Sequence, residues 1–202
     1  MMAEGNFHDA LRIYEQKGAI HWTCTQPEAR AMLVEQWARD TANSPDKSRC
    51  VFAYTNADVD MLNIALRAVR KKRGELGPDH RFDTAHGRCD FAEGDRIRFT
   101  KTDKREGIFN GALGTIEAID GNHLAVKLDA RKPKTVGFDA VSFTHFRLGY
   151  AATIYGGQGK TLDQTYLYHS EHWRSAGSYV ALTRHRDKAE LFVARNTAKD
   201  KS

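Results

Sequence analysis

The sequence predicts an α/β fold in which a parallel-sheet domain is interrupted by a small all-β module. Three observations predict it. Strand and helix patterns alternate over roughly the first 75 residues. Short alternating strands with no helix among them fill residues 86–148. Apolar strand patterning of the first kind returns after residue 149. Alternation of strand and helix is the pattern of a parallel sheet, and closely spaced short strands are the pattern of a small barrel.

The elements follow in order. "HDALRIYEQKG" reads as a short helix with Ala10, Leu11 and Tyr14 on one side and Gly18 as its stop. "AIHWTC" is a strand. In "TQPEARAMLVEQWARD", Thr25 and Glu28 form a capping-box pattern and Pro27 is tolerated in the first turn. Ala29, Leu33 and Trp37 recur at helical spacing. "RCVFAYT" is continuously apolar, as expected of a strand covered on both faces. The next helix, "NADVDMLNIALRAVRKKRG", carries a stripe of Val59, Leu62, Leu66 and Val69. Its Arg70, Lys71, Lys72 and Arg73 suit the negative end of the helix dipole and are expected to face solvent.

From residue 86 the texture changes. "FAEGDRIRFT" alternates, with Ile97 and Phe99 on one face. "GALGTIEAIDGNHLAVKLD" reads as a hairpin joined around Asp120-Gly121, with Leu124, Val126 and Leu128 alternating on the return. "KTVGFDAVSF" adds a strand. After residue 149, "LDQTYLYHS" is a β-favouring run, and "GSYVALTRHRDKAELFVAR" reads as a short helix followed by a strand.

Composition bounds the function. The chain has 202 residues, 41% apolar and 28% charged, as expected of a globular protein with a real core. No apolar run approaches membrane-spanning length, and the N-terminus lacks a signal-peptide apolar region. Three widely separated cysteines, Cys24, Cys50 and Cys89, fit a reducing cytoplasm rather than a disulfide framework. The net charge of +5 is compatible both with nucleic acid as a partner and with a merely solvated surface. His86 with Cys89, and His169 with His172, lack a second pair at zinc spacing, so no metal site is expected.

"TIYGGQGKTLDQT" contains Gly159-Lys160-Thr161, the end of a phosphate-binding P-loop. The first glycine of that pattern would stand at position 154, which is Ile154. A P-loop must also open into a helix, and the residues that follow favour a strand. The stretch is therefore not read as a P-loop.

It resembles something else. "YAATIYGGQGKTLDQTYLYHS" is similar to motif V of superfamily-one helicases, T-[IV]-H-K-[SA]-Q-G-x-[TE]. "YVALTRHRD", from Tyr179, resembles motif VI, and "VFAYTNADVDMLN" resembles the strand and turn of motif IV. Their order, with a β insertion between motifs IV and V, resembles the RecD-like branch, above all the C-terminal helicase portion of TraA-type conjugative relaxases. "GDRIRFTKTD" with "NGALGTIEAI" is among the most specific parts of the likeness.

The resemblance implies a RecA-like parallel-sheet domain, helicase domain 2A, over residues 1–85 and 149–198, interrupted by an SH3-like β-barrel, domain 2B, over residues 86–148. It implies part of an ATP-dependent DNA helicase serving conjugative plasmid transfer. Arg184 falls at the arginine-finger position of motif VI, with Arg186 as a weaker helper. A guanidinium suits that role, because phosphoryl transfer spreads charge over oxygens it can bind two at a time. Gln158 and Gly159 fall on the Gln-Gly of motif V, which implies nucleotide contact. Tyr155 stands where the family has histidine, and a tyrosine there can stack on a base. Lys101, Lys104 and Arg105 form a basic loop in the β module, a second candidate for DNA contact.

No Walker B carboxylate stands out, and neither the relaxase histidine triad nor its nicking tyrosines can be found. The chain thus resembles a second motor domain without the first. ATP and Mg²⁺ are expected in the intact protein, with none tightly bound to this piece. Expected partners are single-stranded DNA and the missing N-terminal RecA-like and relaxase domains of the same protein. Two alternatives stay open. One is a non-catalytic nucleic-acid-binding module, since "GALGTIEAIDGN" also resembles the KOW-type loops of SH3-like RNA-binding proteins. The other is a stand-alone NTPase using Gly159-Lys160-Thr161.

Overall fold

The computed structural model describes residues 14–16, 18–129, 132, 134–154, 162–170 and 185–196. The chain divides into two compact units, one of residues 1–66 with 151–202, the other of residues 67–150.

The first unit is built on a five-stranded sheet in the order β1-β12-β11-β2-β10, parallel at every pairing. Its strands are β1 (Ile20–Thr23), β2 (Arg49–Ala53), β10 (Ala151–Thr153), β11 (Leu162–Tyr168) and β12 (His185–Ala194). Helix α1 (Gln26–Asn43) starts where the sequence says it should. The Thr25 hydroxyl accepts from the Glu28 backbone N–H, and the Glu28 carboxylate accepts from the Thr25 backbone N–H. Ala29, Leu33 and Trp37 are buried, as their spacing predicts.

Side-chain alternation gives this sheet two different faces. Cys50, Phe52, Ala152, Leu167, Ala189, Leu191 and Val193 form an apolar cluster on one. The other carries Tyr166 and Lys188, both bonded to Asp40 of α1. Strand β10 lies at the sheet edge, where backbone groups need partners. The side-chain amide of Asn63 supplies them: the Ala151 N–H donates to Asn63 Oδ1 at 2.8 Å, and Asn63 Nδ2 donates to the Ala151 carbonyl at 3.4 Å. Asn63 sits on helix α2 (Asn56–Lys72), where Val59, Leu62 and Leu66 are buried.

The second unit has a hairpin of β3 (His80–Thr84) and β4 (Gly87–Phe91), and a five-stranded antiparallel sheet in the order β8-β7-β6-β5-β9. Those strands are β5 (Arg96–Phe99), β6 (Leu113–Asp120), β7 (His123–Leu128), β8 (Lys134–Asp139) and β9 (Phe146–Leu148). Aromatic rings fill its core. Phe146 lies 5.0 Å from Phe91 and 5.2 Å from Phe138, ring centre to ring centre, at tilted or edge-on angles that rings prefer. The β6–β7 turn falls one residue later than the sequence predicts. Asp120 pairs with His123, so Gly121 and Asn122 are the central pair. Gly121 alone has positive φ, 54°, which is the glycine-first pattern of a type II′ turn.

The Gly94-Asp95 step explains why "GDRIRF" is so distinctive. Asp95 is fully buried. Its carboxylate accepts from Arg67 Nε at 2.8 Å, the Tyr150 hydroxyl at 2.7 Å and the Ala92 backbone N–H at 2.7 Å. Gly94 has φ 89°, and a β-carbon there would lie 2.9 Å from the Glu75 carbonyl oxygen. The basic end of α2 belongs to the same corner. Arg70 is half-buried, donating to Glu75 at 2.8 Å and to the Gly94 carbonyl at 2.7 Å. Lys71 pairs with Asp79 and Arg73 with Glu75. The sequence predicts a solvent-facing cluster here; Arg70 instead ties down the turn that precedes β5.

Candidate nucleotide and nucleic-acid sites

In the first unit, the N-terminal ends of β2, β11 and β12 carry a concentration of charge. Asp163 accepts from both the Ser48 hydroxyl at 2.7 Å and the Ser48 backbone N–H at 2.8 Å. Those bonds hold its carboxyl below the usual carboxylate range. Arg186 lies 3.8 Å from the same carboxylate and is largely exposed. Asp187 pairs with Lys47. One layer in, the hydroxyl of Tyr166 donates to Asp40 at 2.6 Å, and Lys188 bridges Asp40 at 2.9 Å and Glu190 at 2.8 Å. Burial pushes the Asp40 carboxyl up, but hydrogen bonds from Tyr166, Lys188 and Gln36 outweigh it and the group is held low. Burial, reinforced by Asp40, pushes the Tyr166 phenol up. These contacts tie α1 to β11 and β12 at this end of the sheet.

Described residues beside two of the sequence motifs meet here. Leu162, where the described chain resumes after motif V, and His185, where it resumes within motif VI, are register partners in the β11–β12 ladder. The motif residues Tyr155, Gln158, Gly159, Lys160 and Arg184 lie outside the described residues. The motif IV segment forms a strand, a cap and a helix: β2 ends at Ala53, and the Thr55 hydroxyl accepts from the Asp58 backbone N–H at 3.0 Å and donates to its carboxylate at 2.7 Å.

In the second unit the basic loop is a small pinned turn. Asp103 and Ile108 exchange backbone hydrogen bonds of 2.9 and 2.8 Å, and Ile108 is buried. The Asp103 carboxylate also caps the Arg105 backbone N–H at 2.9 Å. Lys101, Lys104 and Arg105 are all exposed. The Lys134 ammonium adds a fourth cation to this loop, lying 2.5 Å from where a β-carbon on Gly107 would be. Residue types alone find the first three cations. Lys134 comes from β8, distant in sequence, and is found only from the folded structure.

Among the described residues no group of three His, Cys, Asp or Glu side chains is placed to hold a metal ion. No described helix is long and apolar enough to cross a membrane. His169 is buried at the end of β11, and burial lowers its pKa to about 4.

The parallel sheet defines the class: an α/β fold resembling the RecA-like domain of Pif1, a superfamily-one helicase. Pif1 helicase from Bacteroides, solved in complex with ADP-AlF3 and ssDNA, matches with a TM-score of 0.58 at 20% identity, over 88% of this chain and 48% of that one. Within that class, the chain is a homologue of one segment of the conjugal transfer proteins TraA. The TraA protein of Agrobacterium fabrum is 33% identical over 192 residues, covering 95% of this chain and 17% of the relative. The ATP-dependent RecD2 DNA helicase of Deinococcus radiodurans is 31% identical over 133 residues, covering 58% of this chain and 18% of that protein. The chain therefore spans less than a fifth of the length of these curated relatives. No family model matches it.

Proposed function

We propose that this chain is the second RecA-like motor domain, with an SH3-like β-barrel inserted, of an ATP-dependent DNA helicase that works on DNA during conjugative plasmid transfer. The observation that carries the reading is the TraA alignment, because it runs through 95% of the chain and so through both units. The antiparallel sheet of the second unit, with its aromatic core, supports the barrel reading over residues 86–148. The pairing of Leu162 with His185 supports a shared role for motifs V and VI, since these residues directly follow Thr161 and Arg184 in the sequence.

In this reading Arg184 meets negative charge that develops as the γ-phosphoryl leaves, and Gln158 and Gly159 contact the nucleotide. ATP and Mg²⁺ are held largely by the other motor domain of the intact protein. Tyr155 and the loop cations Lys101, Lys104 and Arg105 contact single-stranded DNA. The test is made in the intact parent protein. Arg184→Ala should cut DNA-stimulated ATP turnover on the order of 10³-fold or more, as loss of an arginine finger does, with a smaller effect on ATP affinity. Arg184→Lys should rescue only in part, because an ammonium cannot make the planar two-point contact. Near-normal turnover in Arg184→Ala, or loss of activity explained by unfolding, would refute the assignment.

A further inference from the structure

The turn of residues 101–110 buries one apolar side chain and shows the next. Ile108 is buried, and Phe109 is 58% exposed. A single exposed ring on a loose tip would mean little. Here the backbone is bonded on both sides of the ring. Asp103 and Ile108 exchange their backbone hydrogen bonds before it. After it, the Asn110 N–H donates to the Thr102 hydroxyl at 3.0 Å, and the Gly111 N–H to the Phe99 carbonyl at 2.8 Å. Gly107 and Gly111, which bracket the ring, have φ of 70° and 82°, a left-handed backbone that favours glycine. The ring is thus presented by a pinned backbone, which loses little freedom when a ligand packs on it. The same turn gathers positive charge. Lys101 and Lys104 flank the Thr102–Asp103 step that bonds to Asn110 and Ile108 around the ring, and both are exposed, as is Arg105. The Lys134 ammonium lies against Gly107. Of the two acids in the turn, Asp103 caps the Arg105 backbone N–H, and Glu106 is the exposed one.

Cations attract the phosphates of a duplex as well as those of a single strand. A flat ring distinguishes the two, because base faces are covered by their neighbours inside a duplex and can be offered to a ring by a single strand. We propose that Phe109 makes the second unit select single-stranded over duplex DNA. Its ring stacks on an unpaired base while Lys134, with Lys101, Lys104 and Arg105, holds the flanking phosphates. The proposal rests on the DNA-binding reading above and adds to it a base contact, the Lys134 phosphate contact and a source of selectivity. Stacking accepts any base, so the selection is for strandedness and not for sequence.

The test measures fluorescence anisotropy of one labelled oligodeoxythymidylate, alone and annealed to oligodeoxyadenylate, with the 202-residue chain across a salt series. The wild type should prefer the single strand. Phe109→Ala should weaken single-strand binding about tenfold and leave duplex binding unchanged. Its thermal unfolding should match the wild type, because the ring is exposed. Phe109→Leu keeps apolar bulk without a flat face and should behave like Phe109→Ala, whereas Phe109→Tyr should behave like the wild type. On an abasic strand the wild type should fall to the level of Phe109→Ala, which should not fall further. Lys134→Gln should weaken binding to both forms and lower the single-strand slope of log affinity against log salt by about 0.7. A wild type without strand preference, or a Phe109→Ala variant that keeps it, overturns the selectivity and leaves the DNA reading standing. Single-strand binding by Phe109→Leu at the wild-type level overturns the stacking contact. An unchanged slope for Lys134→Gln overturns its phosphate contact. A wild-type chain that binds neither form at low salt overturns the DNA reading as well.

Discussion

Asp95 shows what one residue does here. Three donors converge on a carboxylate that water cannot reach, and one of them, Arg67, also pairs with Asp79. Removing one partner of such a group leaves the others buried and unmatched. Asp95→Ala should therefore cost about 3–5 kcal/mol of stability, read by urea unfolding. A cost below about 1 kcal/mol would mean water reaches the site. His169 makes a second residue-scale prediction. Its folded pKa is lowered to about 4, against an ordinary value of 6.5. Between those pH values the unfolded chain takes up a proton that the folded chain does not, so stability falls as pH drops through that window. The loss is on the order of 3 kcal/mol and is complete near pH 4. Asp40 acts in a lower window: its carboxyl is held below 3.8, so its contribution is lost only as pH falls further. His169→Gln should flatten the upper limb of a stability–pH curve and leave the lower one. An unchanged upper limb would assign the pH dependence to another group.

Elements differ in how far their sequence reveals them, and the difference is the range of the interactions that form them. Helix α1 is legible to its cap, because a capping box needs only residues three apart. Thr25→Ala should cost about 1 kcal/mol, visible in thermal unfolding. Strands β2, β11 and β12 are legible from their apolar runs. The β3–β4 hairpin is not, since its strands hold charges in place of alternating apolar residues. It is stitched by Arg81 with Asp90 and Arg88 with Asp83, both directly opposed across the ladder. Nothing in the local sequence shows that those residues will face each other. The same limit applies to the candidate DNA surface. Lys101, Lys104 and Arg105 are neighbours in sequence and can be read there, whereas Lys134 reaches the same loop only through the fold. The sequence places the β6–β7 turn one residue early because Asp-Gly and Gly-Asn are both turn-forming pairs, and cross-strand packing decides between them. Gly114, within β6, has no room for a β-carbon: one would lie 2.6 Å from Val126 Cγ1 and 2.7 Å from the Lys127 carbonyl oxygen. That close approach fixes β6 against β7 as firmly as the turn does.

At the scale of the whole molecule, the issue is what 202 residues can do alone. ATP hydrolysis needs a loop to cradle the phosphates, a lysine on the terminal phosphates and ligands for Mg²⁺. Ile154 occupies the position where a P-loop at Lys160 would need its first glycine, and Leu162–Tyr168 continues as a strand where that loop would need a helix. Binding to single-stranded DNA has weaker requirements: exposed cations, which the second unit has, and a ring to stack on. The isolated chain should therefore show no ATPase above background, with or without single-stranded DNA. It should still bind oligonucleotides weakly, with affinity falling steeply as salt rises, because each phosphate it neutralises releases counterions. Steady-state ATPase assays beside a salt-dependent titration separate the two properties in one preparation. Turnover that Lys160→Ala abolishes would restore the P-loop reading of Gly159-Lys160-Thr161. Affinity indifferent to salt, or confined to one sequence, would remove the electrostatic basis for DNA binding while leaving the missing ATPase explained. Activity that appears only when the other motor domain is added back would locate the nucleotide where an arginine finger is useful, shared between two domains.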